Sequence, residues 1–307
     1  MATATVLAPQ AVTTILNYHL EPERGGETVW CPGTVRDKRR PHEHAEVRVE
    51  NMRGFEEEFT LDKQGFAVGP FDTSVADVQD DAEFKGQYYQ DVVAHLKKVT
   101  GASKVLPVVH ITRRRQWDEV AEAEKDLPDN APVTAPTANR SVHVDQSYFG
   151  AELVRDSKLE ELPASEAERL KKVRWAIINL WRPLNHVTRD NMALCDARTV
   201  AENELAAVYA DLPEELRNAK TGYNFAAKSR SEAWEVKANT GAHKWYYASG
   251  MNPNEALLIK QFDSKPHGVA RRTPHCAFSA KEDHGPVRQS IEVRCLCFWE
   301  DQPQEEA

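Results

Sequence analysis

The sequence predicts a mainly β protein with flanking helices, built on a double-stranded β-helix core, the jelly-roll or cupin-like arrangement. Three observations lead there. Strand candidates crowd the second two-thirds of the chain. They do not alternate regularly with helices, as a parallel α/β sheet requires. Neither GxGxxG nor GxxxxGK followed by Ser or Thr occurs, so a nucleotide-binding fold loses its main support.

The elements follow in chain order. Residues 28–75 read as short strands and turns: His44 to Val49 alternates, and Phe59-Thr-Leu and Gly65-Phe-Ala-Val flank an Asp62-Lys-Gln turn. Phe84, Tyr88, Val92 and Leu96 recur at helical spacing, which predicts a helix from about Ala82 to Val99, stopped by Gly101. A Val- and Ile-rich strand is expected over Lys104 to Thr112. Repeated prolines make residues 127–139 an irregular connector. Next come a strand over Arg140 to Gln146, a helix over Ala164 to Lys172, a strand over Val173 to Trp181 and a helical stretch over 199–218. Four strand candidates close the series: Lys244 to Ser249, Ala256 to Phe262, His275 to Ser279 and Arg288 to Trp299.

Alternation along the last strand puts Ile291, Val293, Cys295, Cys297 and Trp299 on the face opposite Arg288 and Ser290. The 82–99 helix is expected to cover that apolar face. Glu292 and Arg294 continue the inner face, where they are expected to pair with each other or with charges at the far end of the barrel, a structural role. Residues 1–307 read as a single domain, with the jelly-roll core over about 100–300 and a β/helical extension over about 28–100.

Charge and composition exclude several functions. The chain has 39 Lys+Arg against 48 Asp+Glu, a formal charge of -9, so nothing drives counterion release from nucleic acid. The one dense basic run, Arg113-Arg114-Arg115, is followed by an acidic stretch, Asp118 to Asp126. No segment approaches the roughly 18–20 apolar residues of a membrane span, and the start lacks the basic region of a secretory signal. Cys31, Cys195, Cys276, Cys295 and Cys297 show neither a disulfide framework nor paired CxxC spacing, so they read as reduced core thiols. A soluble, cytoplasmic protein is expected, with a homodimer as the candidate assembly.

The chemistry starts at His143-Val144-Asp145. On a strand, residues two apart share a face, so this imidazole and carboxylate converge. With one more histidine and open positions they form the two-His-one-carboxylate arrangement of non-haem Fe(II) oxygenases. His275, opening the short apolar strand Pro274-His-Cys-Ala-Phe, is the best third ligand, with His243 and His267 next. The absence of nearby Cys argues against structural zinc. Further on, Arg288-Gln-Ser290 puts a guanidinium and a hydroxyl two apart on one face, suited to the distal carboxylate of 2-oxoglutarate. Two further places are open to two readings. Asn179, Trp181 and Arg182 either line the cosubstrate or substrate pocket, or hold neighbouring loops. Tyr247 either offers its phenol to 2-oxoglutarate or packs within a sheet. Lys265-Pro-His-Gly-Val-Ala-Arg-Arg, just before His275, is either a lid or an ordinary turn.

At this point the sequence resembles a known family, the AsaB-type hydroxylase/desaturase family of fungal secondary metabolism, which also includes a gibberellin desaturase and a cephamycin methoxylation protein. The resemblance rests on Phe59-Thr-Leu-Asp-Lys-Gln-Gly-Phe, Arg140-Ser-Val-His-Val-Asp, Asn179-Leu-Trp-Arg-Pro-Leu, Lys244-Trp-Tyr-Tyr, Lys260-Gln-Phe-Asp-Ser, Pro274-His-Cys-Ala-Phe and Arg288-Gln-Ser-Ile-Glu-Val-Arg, spread over most of residues 30–299. The chain departs from the pattern at Gln146 and at Asp190-Asn-Met-Ala. The resemblance implies an Fe(II)/2-oxoglutarate-dependent oxygenase that hydroxylates, desaturates or rearranges a small-molecule natural product with dioxygen. Two alternatives stand beside it: an iron oxidase or isomerase on the same scaffold that does not consume 2-oxoglutarate, and a non-catalytic jelly-roll binding module.

Overall fold

The computed structural model describes residues 10–76, 84–211 and 231–305. Its strands are β1 (Ala11–His19), β2 (Val29–Trp30), β3 (His42–Asn51), β4 (Phe66–Pro70), β5 (Lys104–Arg113), β6 (His143–Val144) and β7 (Val173–Pro183). They continue as β8 (Asn191–Cys195), β9 (Leu205–Ala210), β10 (Glu232–Val236), β11 (Trp245–Tyr247), β12 (Glu255–Asp263), β13 (His275–Phe278) and β14 (Ser290–Pro303). Its helices are α1 (Val35–Arg39), α2 (Tyr89–Thr100), α3 (Trp117–Ala123), α4 (Tyr148–Leu159) and α5 (Ala164–Leu170). Two sheets form the jelly roll: a nine-stranded one in the order β1-β3-β11-β8-β13-β6-β10-β9-β2 and a five-stranded one in the order β4-β12-β7-β14-β5. Neighbours in the smaller sheet are antiparallel and mostly distant in sequence, as double-stranded β-helix connectivity demands.

The helical face predicted for β14 is where expected. Ile291, Val293, Cys295, Cys297 and Trp299 pack against Tyr88, Val92 and Leu96, and Trp299 Nε1 donates to the Thr100 carbonyl at 3.0 Å. Each such buried side chain contributes about 1.5–3 kcal/mol, so α2 and the sheet stabilise one another strongly. Gly101 ends α2 with φ 72°, the left-handed conformation in which glycine has no Cβ penalty. Helix α2 begins later than expected, because residues 84–88 form a wide turn broken at Gly86; 82 and 83 lie outside the described residues. On the inner face, Leu296 and Phe298 of β14 meet Trp175 and Ile177 of β7 beneath α4 and α5.

Several expectations change. Over 199–218 the chain is not helical: a short turn at Glu202–Glu204 leads into β9, and 212–218 lie outside the described residues. Leu205-Ala-Ala-Val-Tyr-Ala has good helix propensity, but full pairing with β10 overrides it. The strand expected over Arg140 to Gln146 shrinks to β6. Its neighbouring amides find other acceptors: Val142 donates to Asn17, Asp145 to the Gln261 side chain and Ser147 to Glu232. Helix α4 was not anticipated, although Ser147 caps it by accepting from the Gly150 amide at 2.9 Å. Strand β1 adds to the expected elements and buries Val12, Leu16 and Tyr18 at even spacing. The five cysteines are free thiols, four of them buried. Among the described residues no helix is long and apolar enough to cross a membrane.

Candidate metal and cosubstrate site

Register brings the two histidines together. His275 on β13 is the direct cross-strand partner of His143 on β6, and their ring centres stand 4.4 Å apart. Asp145 follows just past the end of β6, its backbone N–H held by Gln261 Oε1 at 3.0 Å. One donor atom from each of His143, Asp145 and His275 falls within 4.8 Å of the others.

The histidines are oriented alike. His143 Nδ1 lies 2.8 Å from the Ser141 carbonyl, and His275 Nδ1 lies 3.0 Å from that of Thr273. A carbonyl only accepts, so each Nδ1 carries a proton and each Nε2 is the nitrogen turned toward the converged donors, where a metal can be held. Burial, with the neighbouring His143, pushes His275 down to about 4, so this imidazole is neutral at physiological pH. Burial also works against a charged His143, but its hydrogen bond to Asp145 prevails and raises its pKa. For Asp145, burial is outweighed by the Arg294 charge and the histidines, which hold the carboxyl well below its ordinary range. Asp145 Oδ1 lies 3.2 Å from His143 Nε2, while Oδ2 accepts from Asn179 Nδ2 at 2.6 Å and Arg294 Nη2 at 2.7 Å. Two imidazole Nε2 atoms and an ionised carboxylate suit Fe(II), which would displace the proton that His143 Nε2 shares with Asp145.

A second cluster lies along the same face. Arg288 is 3% exposed, its guanidinium 5.3 Å from the Trp181 ring centre, and Nη1 donates to the Asp190 carbonyl at 2.5 Å. Asp190 adopts a left-handed backbone, φ 49°, and its own carboxylate pairs with Arg140 at 3.2 Å. Among the described residues no carboxylate stands within ion-pair distance of Arg288, and burial pushes its pKa down to about 10. Ser290 Oγ and Trp181 Nε1 are buried without hydrogen-bond partners among the described residues. A buried cation with no carboxylate at ion-pair distance among the described residues, beside an orphaned hydroxyl, fits an incoming carboxylate such as that of 2-oxoglutarate.

Not every anticipated residue gathers here. Asn179 and Trp181 do. Arg182 points to the opposite face of β7, where Nε donates to the Pro253 carbonyl at 2.6 Å and Nη1 to that of Val75 at 2.8 Å. It holds loops, the plainer of its two readings. Tyr247 is also displaced: it packs edge-to-face on Phe278 in a layer with Cys276, on the face opposite His275. Strand alternation makes that unavoidable, because Cys276 and His275 are adjacent. Arg294, expected to serve a structural pair, instead binds Asp145, and Glu292 has no ion pair among the described residues. Burial and the nearby Asp145 charge raise the Glu292 carboxyl.

A cavity reaches His143 and Asp145 past Glu292 and Arg113, and extends to Trp30, Asp37 and Glu235. Segment 265–272 does not border it. Ala270 is hydrogen-bonded to Asp62, Arg271 covers the Tyr148 ring at 4.1 Å and Arg272 binds the Val200 carbonyl. The cavity walls include α1 and the Pro-rich connector, which meet where the Val35 amide donates to the Ala131 carbonyl and where Glu124 accepts from both Lys38 and Thr134.

Comparison with known proteins gives three results. A family model described as "Oxidoreductase/YMDC permease-like domain" matches residues 16–298. Hydroxylase/desaturase CTB9 of Cercospora beticola is 45% identical over 293 residues, 94% of this chain and 87% of that one, and hydroxylase/desaturase efuI of Hormonema carpetanum is 43% identical over 306 residues, 99% and 100% of the two. Other relatives carry the name alpha-ketoglutarate-dependent dioxygenase. A solved structure, the iron and alpha-ketoglutarate-dependent endoperoxidase NvfI, shares the fold with TM-score 0.72 at 23% identity, over 95% of this chain and 99% of that one.

Proposed function

This chain belongs to the AsaB-type hydroxylase/desaturase family, and on that premise we propose that His143, Asp145 and His275 hold iron while Arg288 and Ser290 anchor the distal carboxylate of 2-oxoglutarate. The protein is an Fe(II)- and 2-oxoglutarate-dependent oxygenase, an oxidoreductase of the dioxygenase class that uses a small molecule and dioxygen. Its substrate is a small natural product of secondary metabolism, and residues 1–307 act as one oxygenase domain.

Bound iron and keto acid together supply the oxidising chemistry. The chain's residues position and shield it. Ser141 and Thr273 carbonyls fix both imidazoles with Nε2 inward. The Arg288 fork gives the keto acid a charge-assisted pair of donors, and the Ser290 hydroxyl adds a third. The apolar flank of Trp181, Leu194, Leu257 and Ile259 keeps water from the inner end of the site. The observation carrying this reading is the buried Arg288 with no carboxylate at ion-pair distance among the described residues, on the same face as three converged metal donors.

The test is stoichiometric. Iron-loaded protein given 2-oxoglutarate and oxygen is expected to form succinate, slowly alone and faster with a substrate. Iron bound without any succinate would overturn the reading in favour of an iron oxidase or isomerase.

A further inference from the structure

Asp145 presents its two oxygens to different surroundings. Oδ1 faces His143, on the side of the converged metal donors. Oδ2 takes two short hydrogen bonds, from Asn179 at 2.6 Å and Arg294 at 2.7 Å. These donors are direct cross-strand partners on β7 and β14, so the sheet register delivers both to one atom. Asn179 is fully buried, and its Oδ1 has no partner among the described residues. Turning the amide over would aim that oxygen at a carboxylate oxygen, so the amide is fixed with its N–H2 toward Asp145. The third strand takes part too. A bulge between Lys260 and Phe262 lets Gln261 reach the Asp145 amide while Phe262 still packs on Trp175, centres 4.5 Å apart. Three adjacent strands thus hold one acid by its backbone and by one chosen oxygen.

We propose that Asn179 and Arg294 form a two-donor clamp on Oδ2, so that Asp145 offers iron only Oδ1 and leaves the other positions for the keto acid and dioxygen. The proposal rests on the iron site described above and gives both residues a positioning role. A carboxylate grasping iron with both oxygens would take up one more position, and with the keto acid bound no place would remain for a gas molecule. Arg294 also places its positive charge 2.7 Å from Oδ2, the oxygen turned away from the converged donors.

The clamp is tested in the full chain with Asn179→Leu, Arg294→Met and the double variant. Iron affinity is measured by chelator competition, and nitric oxide serves as an oxygen-like probe of the anaerobic iron–2-oxoglutarate form, followed by electron paramagnetic resonance. The double variant is expected to keep its iron and to lose nitric oxide affinity by about tenfold or more, while Arg294→Lys, with a donor retained, recovers part of it. Unchanged nitric oxide binding in an iron-loaded double variant overturns the clamp. So does loss of iron, which would mean that the two donors merely keep Asp145 in place. If the double variant does not fold, the two single variants decide by the same readings. Failure of the wild type to bind iron would instead refute the metal site itself.

Discussion

The Arg288 guanidinium lies over the indole of Trp181, 5.3 Å from the ring centre, and donates its one hydrogen bond among the described residues to a backbone carbonyl. A buried cation with no carboxylate at ion-pair distance among the described residues is costly, and a ligand carboxylate would relieve that cost. Removing one member of such a pair typically costs about 2–5 kcal/mol. Arg288→Ala is therefore expected to weaken 2-oxoglutarate binding roughly 30- to several-thousand-fold, with iron content unchanged and Arg288→Lys recovering only part. Anaerobic titration of the iron-loaded proteins checks this, and equal dissociation constants would sink it.

Arg182 lies on the other side of the same strand, and its substitution should have the opposite profile. Arg182→Met leaves two part-buried carbonyls, of Pro253 and Val75, without their donor. The expected cost is about 1–3 kcal/mol of stability, a fall of roughly 2–4 °C in Tm per kcal/mol, with 2-oxoglutarate affinity unaltered. Thermal melts and the same titration separate the two residues.

Tyr247→Phe is expected to leave 2-oxoglutarate affinity within about twofold of wild type, since the ring packs on Phe278 behind the His275 strand. A large loss in calorimetric titration would return the phenol to the cosubstrate site.

Acid stability should depend on a buried cluster remote from the iron ligands. Burial would raise the Asp263 carboxyl, but Arg174 at 2.7 Å and Lys260 at 2.8 Å outweigh it and hold the pKa below its ordinary value. A carboxyl depressed on folding stabilises the protein above its unfolded pKa, near 3.9, and loses that contribution as pH falls through the folded value. Asp263→Asn should thus be less stable at neutral pH, with a flatter decline below about pH 4. Denaturant midpoints measured from pH 7 to 3 would reveal the changed slope; parallel curves would contradict it.

The parts of the fold legible in the sequence were those with strong period and one buried face. The alternation along β14 placed Ile291 to Trp299 against α2, and it put Arg288, Ser290 and Arg294 on one inner face. What period cannot reveal is the partner across the barrel. Arg294 was readable as inward, yet its bond to Asp145 depends on residues 149 positions apart. Strand β9 was misread because alanine and leucine favour helices until β10 pairs with them. Tyr247 shows a further limit: a phenol in a family motif is a plausible ligand until the register of β11 assigns its face. Asp190, noticed only as a departure from the family pattern, supplies the carbonyl that Arg288 holds.

The central claim is that His143, Asp145 and His275 hold the iron on which 2-oxoglutarate binds. Its most direct test is anaerobic addition of Fe(II) and then 2-oxoglutarate to wild type and His275→Ala, reading metal stoichiometry and the visible charge-transfer absorption. One iron per chain and the absorption band are expected in wild type, and loss of most iron and of the band in His275→Ala. Full iron occupancy with an unchanged band in His275→Ala would contradict it.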